Sequence, residues 1–257
     1  TYMSGKWHVG EHPDHWPRKR GFDRYYGLIS GASSYWGIRE EERERRAFAI
    51  DDERIWPGGE GYYMTDAFSD YAVKYIEEHE GREEPFLLYL AYTAPHWPLH
   101  AWPEDIAKYR GKYAKGWDQL REERYERLVN MGIIDPKWQL SPRDPDVSAW
   151  EDAEDKDDWD LRMAVYAAMI DRMDQGIGRV LEALQRIGEE DNTLVVFLCD
   201  NGGCHENISG RNLDKPGTQP GEPGSFVAYR RPWANASNTP FRLYKHWVHE
   251  GGIATPF

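Results

Sequence analysis

TLVVFLCDNGG, residues 193 to 203, is an apolar run that ends at a carboxylate, an amide and two glycines. Residues 193–199 are rich in β-branched and apolar types and bounded by turn formers, which predicts a strand buried on both faces. Asp200 and Asn201 follow at its carboxyl end, where ligands bind in open α/β sheets. Their oxygens are hard ligands that suit Ca²⁺ or Mg²⁺. The same residues also fit a plain Asp-Asn-Gly turn.

A second apolar run, PFLLYLAY at residues 85–92, predicts another buried strand. It leads into TAPHWP, in which Pro95 and Pro98 restrict the backbone around His96. A rigidly placed histidine suits catalysis or ligand binding. A structural histidine in a proline-rich turn is the alternative interpretation.

Apolar spacing predicts one helix before the 85–92 strand and three helices between the two strands. The predicted helices are 65–81, 102–113, 116–131 and 161–187, the last closed by Gly188, whereas residues 11–60 read as irregular structure with short strands. Strand, helices and strand in this order predict a crossover between parallel strands, which brings His96 and Asp200 to one sheet edge. The expected fold class is therefore α/β, with a mostly parallel central sheet flanked by helices.

Two further segments carry cationic side chains near glycines. Lys6 and His8, in GKWHVG, are two residues apart and share one side if the backbone is extended. Lys245 precedes a Glu-Gly-Gly turn and is able to reach an anion. A solvated lysine and a packed histidine are the simpler alternatives for both segments.

Composition limits the partners of the chain. Its 257 residues are sufficient for one α/β domain, which we place at 1–257. A formal charge of −13 disfavours nucleic acid and anionic membranes, and no apolar run is long enough for a membrane span. Two cysteines, Cys199 and Cys204, indicate neither a disulfide framework nor a zinc site.

Four segments, taken in order, resemble the sulfatase family, specifically its bacterial arylsulfatase-like members within the alkaline-phosphatase-like superfamily. They are GKWH at 5–8, APHWP at 94–98, the strand ending in CDNGG at 199–203, and FRLYKHWVHEGGIATP at 241–256. The resemblance extends along essentially the whole chain. It implies a sulfuric ester hydrolase that acts on a small-molecule or carbohydrate sulfate ester, in a periplasmic or secreted location.

The resemblance also implies roles for particular residues. Lys6 and His8 match residues that contact the sulfate and a catalytic formylglycine, and His96 matches the histidine beside the leaving-group oxygen. Asp200 and Asn201 match ligands of one Ca²⁺ that also binds a sulfate oxygen, and Lys245 matches a lysine on the substrate sulfate. The implied catalytic residues are thus His8, His96 and Lys245, and the implied substrate-binding residues are Lys6, His96 and Lys245.

Two features of the family pattern are missing from this sequence. No Cys- or Ser-x-Pro-x-Arg segment, the source of the formylglycine, occurs in the 257 residues, and neither does the early pair of metal-binding aspartates. The first residues, TYMSGKWHVG, indicate that the sequence begins inside a folded domain. We therefore expect a domain that is incomplete at both ends, with the remaining Ca²⁺ ligands upstream of residue 1 and no turnover from this chain alone.

Two rival functions stay open. A phosphodiesterase or phosphonate hydrolase of the same superfamily is the nearer one, although its zinc-dependent members usually carry His among the ligands after the corresponding strand, where Asn201 follows Asp200 here. A non-catalytic relative that binds sulfated glycans is the other.

Overall fold

A five-stranded mixed sheet is built largely from the first third of the chain in a computed structural model, which describes residues 1–209 and 213–255. Its strands are β1 (Tyr2–Gly5), β2 (Arg24–Leu28), β3 (Phe48–Ile50), β4 (Glu53–Arg54) and β5 (Leu88–Ala91). Their order is β4-β3-β2-β1-β5. β1 runs parallel to β2 and β5, whereas the β2–β3 and β3–β4 pairs are antiparallel. The α/β fold class is confirmed, with a mixed sheet.

Helices follow the predicted apolar spacing in most places. The described ones are α1 (Met64–Glu77), α2 (Pro103–Ala107), α3 (Gly116–Asn130), α4 (Lys156–Arg186), α5 (Arg230–Ser237) and α6 (Glu250–Ile253). Gly188, at a φ of +77°, follows α4 as predicted. None of the helices in the described part of the chain is both long and apolar enough to cross a membrane.

Helix α2 is shorter than the predicted 102–113 helix. The backbone N–H groups of Gly111 and Tyr113 donate to the buried carboxylate of Asp160, at 2.8 and 2.9 Å. These bonds replace the helical hydrogen bonds of that segment, since a backbone donor buried here must find one acceptor or another.

The prediction of a buried strand at 193–199 is wrong for this structure. These residues form no ladder with any described segment, and Leu194 and Phe197 are 88% and 61% exposed. An extended apolar segment becomes a buried strand only when a neighbouring strand pairs with its backbone groups and other elements cover its faces. The predicted parallel pairing with residues 85–92 is therefore not formed.

The strand at 85–92 is also less buried than predicted. Its ladder covers Leu88–Ala91, pairs only with β1, and leaves Leu87 and Tyr89 more than half exposed. An edge position explains the exposure, because only one side of the strand has a partner.

The chain divides into two compact units. The first unit, Thr1–Ala101 with Ala168–Leu194, has a core around Met3, Tyr25 and Ile29 of the sheet. The second unit, Trp102–Ala167 with Val195–Phe257, has an aromatic core in which Trp150, Trp159 and Trp233 pack around Trp117, with ring centroids 4.7 to 5.5 Å from it. Pro256, the last residue of the FRLYKHWVHEGGIATP segment, lies outside the described residues.

Candidate functional site

The first unit places Lys6, His8 and His96 at one edge of the sheet. β1 and β5 are parallel neighbours with Gly5 opposite Ala91, and the Lys6 N–H donates to the Ala91 carbonyl at 2.7 Å. Because carboxyl ends of parallel neighbours meet at one edge, the GKWH segment and the TAPHWP loop leave the sheet side by side. The predicted shared edge thus exists for His96, with Lys6 and His8 rather than with Asp200.

Gly5 makes this close approach possible. Its φ is +124°, and a Cβ there would lie 2.0 Å from the carbonyl oxygen of Ala91. Any larger residue would separate the two strands just where Lys6 and His96 leave them.

The backbone at His8 is not extended, so the expected placement of Lys6 and His8 on the same side of an extended segment does not apply. Its φ is +53°, a left-handed conformation that costs a non-glycine residue about 1–3 kcal/mol. Its N–H donates to the Ile29 carbonyl at 3.0 Å, and its Nε2 lies 2.5 Å from where a Cβ on Gly31 would be. The surrounding backbone therefore imposes the position of this exposed imidazole, and such imposed strain is typical of functional sites.

His96 is fixed by backbone contacts on both sides. Its Nδ1 lies 2.8 Å from the Trp97 carbonyl oxygen, and since a carbonyl only accepts, Nδ1 carries the proton of that bond. The Tyr35 hydroxyl donates to the His96 carbonyl at 2.9 Å, and the His96 N–H donates to Thr93. The half-buried ring is thereby oriented by its own loop and by Tyr35.

The second unit brings Asn201 and Lys245 together through their backbones. The Lys245 N–H donates to the Gly203 carbonyl at 3.1 Å, and the Gly202 N–H donates to the Gly252 carbonyl at 3.1 Å. A Cβ on Gly202 would lie 1.8 Å from the Gly251 oxygen. The glycines of DNGG and EGG thus let two loops pack backbone to backbone, with no space for a larger side chain.

Asn238 holds the two loops together and was not singled out from the sequence. Its Oδ1 accepts from the Gly203 N–H at 2.9 Å, and its Nδ2 donates to the carbonyls of Leu243 and Gly251, both at 2.8 Å. The available signal was an asparagine before Thr-Pro at the end of α5, a type that bonds neighbouring backbone groups.

Lys245 has left-handed residues close on both sides, Leu243 and His246, at φ values of +64° and +99°. Its side chain is half-buried and forms no ion pair within residues 1–209 and 213–255. A lysine held this way, with its charge uncompensated by a carboxylate, is able to bind an anionic ligand.

The oxygens of Asp200 and Asn201 fit a hard cation. Asp200 is exposed, and the Asn201 amide donates to the Gly202 carbonyl at 3.0 Å, leaving its own oxygen as an acceptor. Neither side-chain oxygen accepts a hydrogen bond from the described residues. No cluster of three His, Cys, Asp or Glu side chains suited to a metal is found among those residues, and two ligands are fewer than the six to eight that Ca²⁺ takes.

His205 is a further aromatic neighbour that sequence reasoning missed. Its ring stacks on Tyr244, with centroids 5.3 Å apart, and meets Trp247 edge-on at 4.6 Å. Burial and the nearby Arg231 guanidinium lower the pKa of His205, which favours the neutral ring. The signal available was its position four residues after Asn201.

Neither thiol is activated. Burial and the neighbouring Asp200 carboxylate raise the pKa of the Cys199 thiol, and burial raises the pKa of the Cys204 thiol. A protonated thiol is a poor nucleophile, so neither residue has the properties of a catalytic cysteine.

Comparison with known proteins gives one family. The sequence model of the family described as Sulfatase matches residues 1–257. An arylsulfatase of Klebsiella aerogenes is 34% identical over 100% of this chain and 58% of its own length, and an uncharacterized sulfatase of Schizosaccharomyces pombe is 33% identical over 100% and 50%. The crystal structure of Ps i-CgsB in complex with k-i-k-neocarrahexaose superposes with a TM-score of 0.62 at 26% identity, over 100% of this chain and 43% of that one.

This chain therefore spans about half the length of the curated relatives that it matches. The match of the family model extends from the first residue to the last, across both compact units and all six sequence-predicted site residues. On this evidence, the chain belongs to the sulfatase family.

Proposed function

We propose that the protein is a sulfuric ester hydrolase, which cleaves a sulfate ester to an alcohol and sulfate. The observation that carries the proposal is the family match over residues 1–257. It is supported by the arrangement of the first unit, in which Lys6, His8 and His96 leave one sheet edge together. The structural neighbour was solved with k-i-k-neocarrahexaose, which supports a carbohydrate as the alcohol part of the substrate.

His96 has the geometry of a general acid. Its Nδ1 proton is held by the Trp97 carbonyl, so Nε2 would give a proton to the leaving alcohol oxygen from the imidazolium form, and the ring would be left neutral with its Nδ1 proton in place. The resemblance to sulfatases implies that Lys6 and Lys245 each neutralise sulfate oxygens as charge develops on them. We assign His8 to the later proton transfer, in which sulfate is released.

Sulfatases are generally metal-dependent. Asp200 and Asn201 would hold the single Ca²⁺ that the resemblance implies, and the bound ion would supply positive charge against a sulfate oxygen. The resemblance also implies a formylglycine nucleophile made from a Cys- or Ser-x-Pro-x-Arg segment. Because the 257 residues contain no such segment, we expect no turnover from them alone.

Turnover of a chromogenic aryl sulfate by the natural gene product tests the function. His96→Ala should lower kcat/KM by roughly 10²- to 10⁴-fold, the usual contribution of a general acid. His12→Ala is the matched control, since that side chain is 67% exposed and contacts only its near neighbours Asp14 and His15 within the described chain. Near-parental rates for His96→Ala would remove it from the mechanism, and hydrolysis of phosphate diesters alone would favour the rival enzyme class.

Lys245→Ala should weaken sulfate binding by about 10- to 100-fold, because a hydrogen bond to a charged group contributes roughly 1.5–3 kcal/mol. Lys137→Ala is the control, since Lys137 is 72% exposed and paired with Asp135. Calorimetric titration with CaCl₂, comparing Asp200→Asn with its parent in a protein that also carries the remaining Ca²⁺ ligands, tests the metal assignment by binding alone. Equal calcium affinities for both proteins would contradict it.

A further inference from the structure

The first unit contains an open pocket outside the TAPHWP loop and the GKWH segment. It has a volume of about 320 Å³. The pocket is lined chiefly by the indole rings of Trp36 and Trp56, the guanidinium groups of Arg39 and Arg43, and the backbone of glycines 58–59. Nothing in the sulfate-ester chemistry proposed above uses these residues.

Two arginines of the segment REEERERR, residues 39–46, are paired with a carboxylate within the fold. The buried carboxylate of Glu42 lies 3.1 Å from the Nε of Arg39 and 4.0 Å from the Nε of Arg46. Glu42 also accepts from the Ser33 hydroxyl at 3.4 Å. This carboxylate is therefore committed, and its charge is balanced.

Two other arginines are not neutralised. The guanidinium groups of Arg43 and Arg54 lie over the ring of Trp56, at 5.8 and 5.1 Å from its centroid. Within residues 1–209 and 213–255 neither forms an ion pair with a carboxylate, although acidic residues outnumber basic ones by 45 to 32 in the chain. One Arg54 N–H donates to the Arg46 carbonyl at 3.4 Å, and contact with the indole through the guanidinium face leaves other in-plane N–H donors able to bind an anion.

A backbone bridge fixes the floor of the pocket, and the mouth of the pocket is open. Gly37 and Gly58 pair across an isolated antiparallel bridge, and a Cβ on Gly37 would lie 2.5 Å from both the Gly58 Cα and the Pro57 oxygen. At Gly59 a Cβ would meet no atom within 4 Å. The backbone thus closes the base of the pocket while its mouth stays free for a ligand.

A short segment joins this pocket to the histidines of the first unit. Gly31 lies against His8, Tyr35 donates to the His96 carbonyl, and Trp36 lines the pocket. Five residue steps separate Gly31 from Trp36, which limits their Cα separation to about 17 Å. A saccharide chain of a few rings covers such a distance.

We propose that this pocket binds an anionic sugar ring, sulfated or carboxylated, of a saccharide whose scissile sulfate lies at Lys6, His8 and His96. The role of the pocket as a substrate subsite rests on the proposed function, but binding of a saccharide to the pocket is measurable without turnover. The guanidinium group of Arg43, which lines the pocket, would bind the anionic group, and Arg54, on the Trp56 ring next to the pocket, would add positive charge. The indole rings of Trp36 and Trp56 would cover the apolar face of the sugar.

Calorimetric or fluorescence titration with three hexasaccharides tests the proposal. The probes are chondroitin 4-sulfate, which carries sulfate and carboxylate, hyaluronan, which carries carboxylate only, and neutral cellohexaose. Arg43→Gln should weaken binding of the sulfated probe on the order of tenfold, and the double variant with Arg54→Gln should weaken it further. Arg45→Gln is the matched control, because it removes the same charge from an exposed residue of the same run that does not line the pocket.

The outcomes separate this inference from the proposed function. Loss of affinity confined to the pocket variants and to the anionic probes supports the subsite, and the hyaluronan arm shows whether a carboxylate is sufficient. Equal losses for Arg43→Gln and Arg45→Gln, or equal affinity for cellohexaose, would overturn it even if aryl sulfates are hydrolysed. Binding that depends on Arg43 and persists in His96→Ala, together with no sulfate hydrolysis by the natural gene product, would instead refute only the proposed enzyme activity.

Discussion

Asn238 offers the sharpest test of how the second unit positions Asn201 and Lys245. Its side chain makes three hydrogen bonds of 2.8 to 2.9 Å, to the backbone of Gly203, Leu243 and Gly251. Each bond contributes roughly 0.5–1.5 kcal/mol, so Asn238→Ala should lower the free energy of unfolding by about 3 kcal/mol.

The assay combines urea unfolding with amide hydrogen exchange. Loss of Asn238 should speed exchange of the Gly203 amide in particular, because that N–H loses its acceptor. Asn207→Ala is the control, since within the described residues this exposed side chain accepts one local bond, from the Ser209 N–H at 3.2 Å, and its loss should change stability by less than about 0.5 kcal/mol.

Asn238→Asp sharpens the result. It keeps the acceptor for Gly203 but puts a carboxylate oxygen against two carbonyl oxygens, so it should be no more stable than the alanine variant. A loss below about 1 kcal/mol for Asn238→Ala, with unchanged exchange at Gly203, would refute the conclusion that this side chain holds the two loops together.

Three other predictions concern single positions. Gly202→Ala should destabilise the protein by about 1–3 kcal/mol or more, because its Cβ would lie 1.8 Å from a backbone oxygen. Gly178→Ala, inside α4, should instead stabilise the protein by about 0.5–1 kcal/mol, because its Cβ would meet no atom within 4 Å. The midpoints of urea unfolding measure both changes. Burial and Arg231 lower the pKa of His205, so as pH falls the unfolded state takes up this proton at a higher pH than the folded state. The free energy of unfolding should therefore fall as pH drops below about 6.5. His205→Phe should reduce this dependence of stability on pH, and an unchanged dependence would contradict the assignment. Phe197→Asp should reduce binding of a hydrophobic dye and self-association measured by light scattering, since the side chain is 61% exposed in an apolar extended segment.

The positions of the helices were largely predictable because their apolar residues recur at helical spacing. α1 and α4 are long enough for this period to be read from the sequence, and Gly188 marks the end of α4. α2 was predicted too long, since the backbone bonds that Asp160 accepts come from a distant part of the chain. Local spacing carries no information about such a partner.

The candidate site was predictable only in part. The residue types of GKWH, APHWP and DNGG marked where to look, but β1 is four residues long and lacks a clear apolar pattern, so its pairing with β5 was not foreseen. The roles of Asn238 and His205 were missed for a similar reason, since each depends on neighbours brought close by folding.

The sequence by itself determined the α/β class, the long helices, the cationic and oxygen-bearing segments and the likeness to sulfatases, because these depend on residue types and their local spacing. The tertiary structure decided which segments meet: His96 with Lys6 and His8 in one unit, and Asn201 with Lys245 in the other. It also decided that residues 194–198 are exposed, although their composition favours burial. The physical reason is the same in each case, because pairing and burial depend on the backbone and side chains of distant segments.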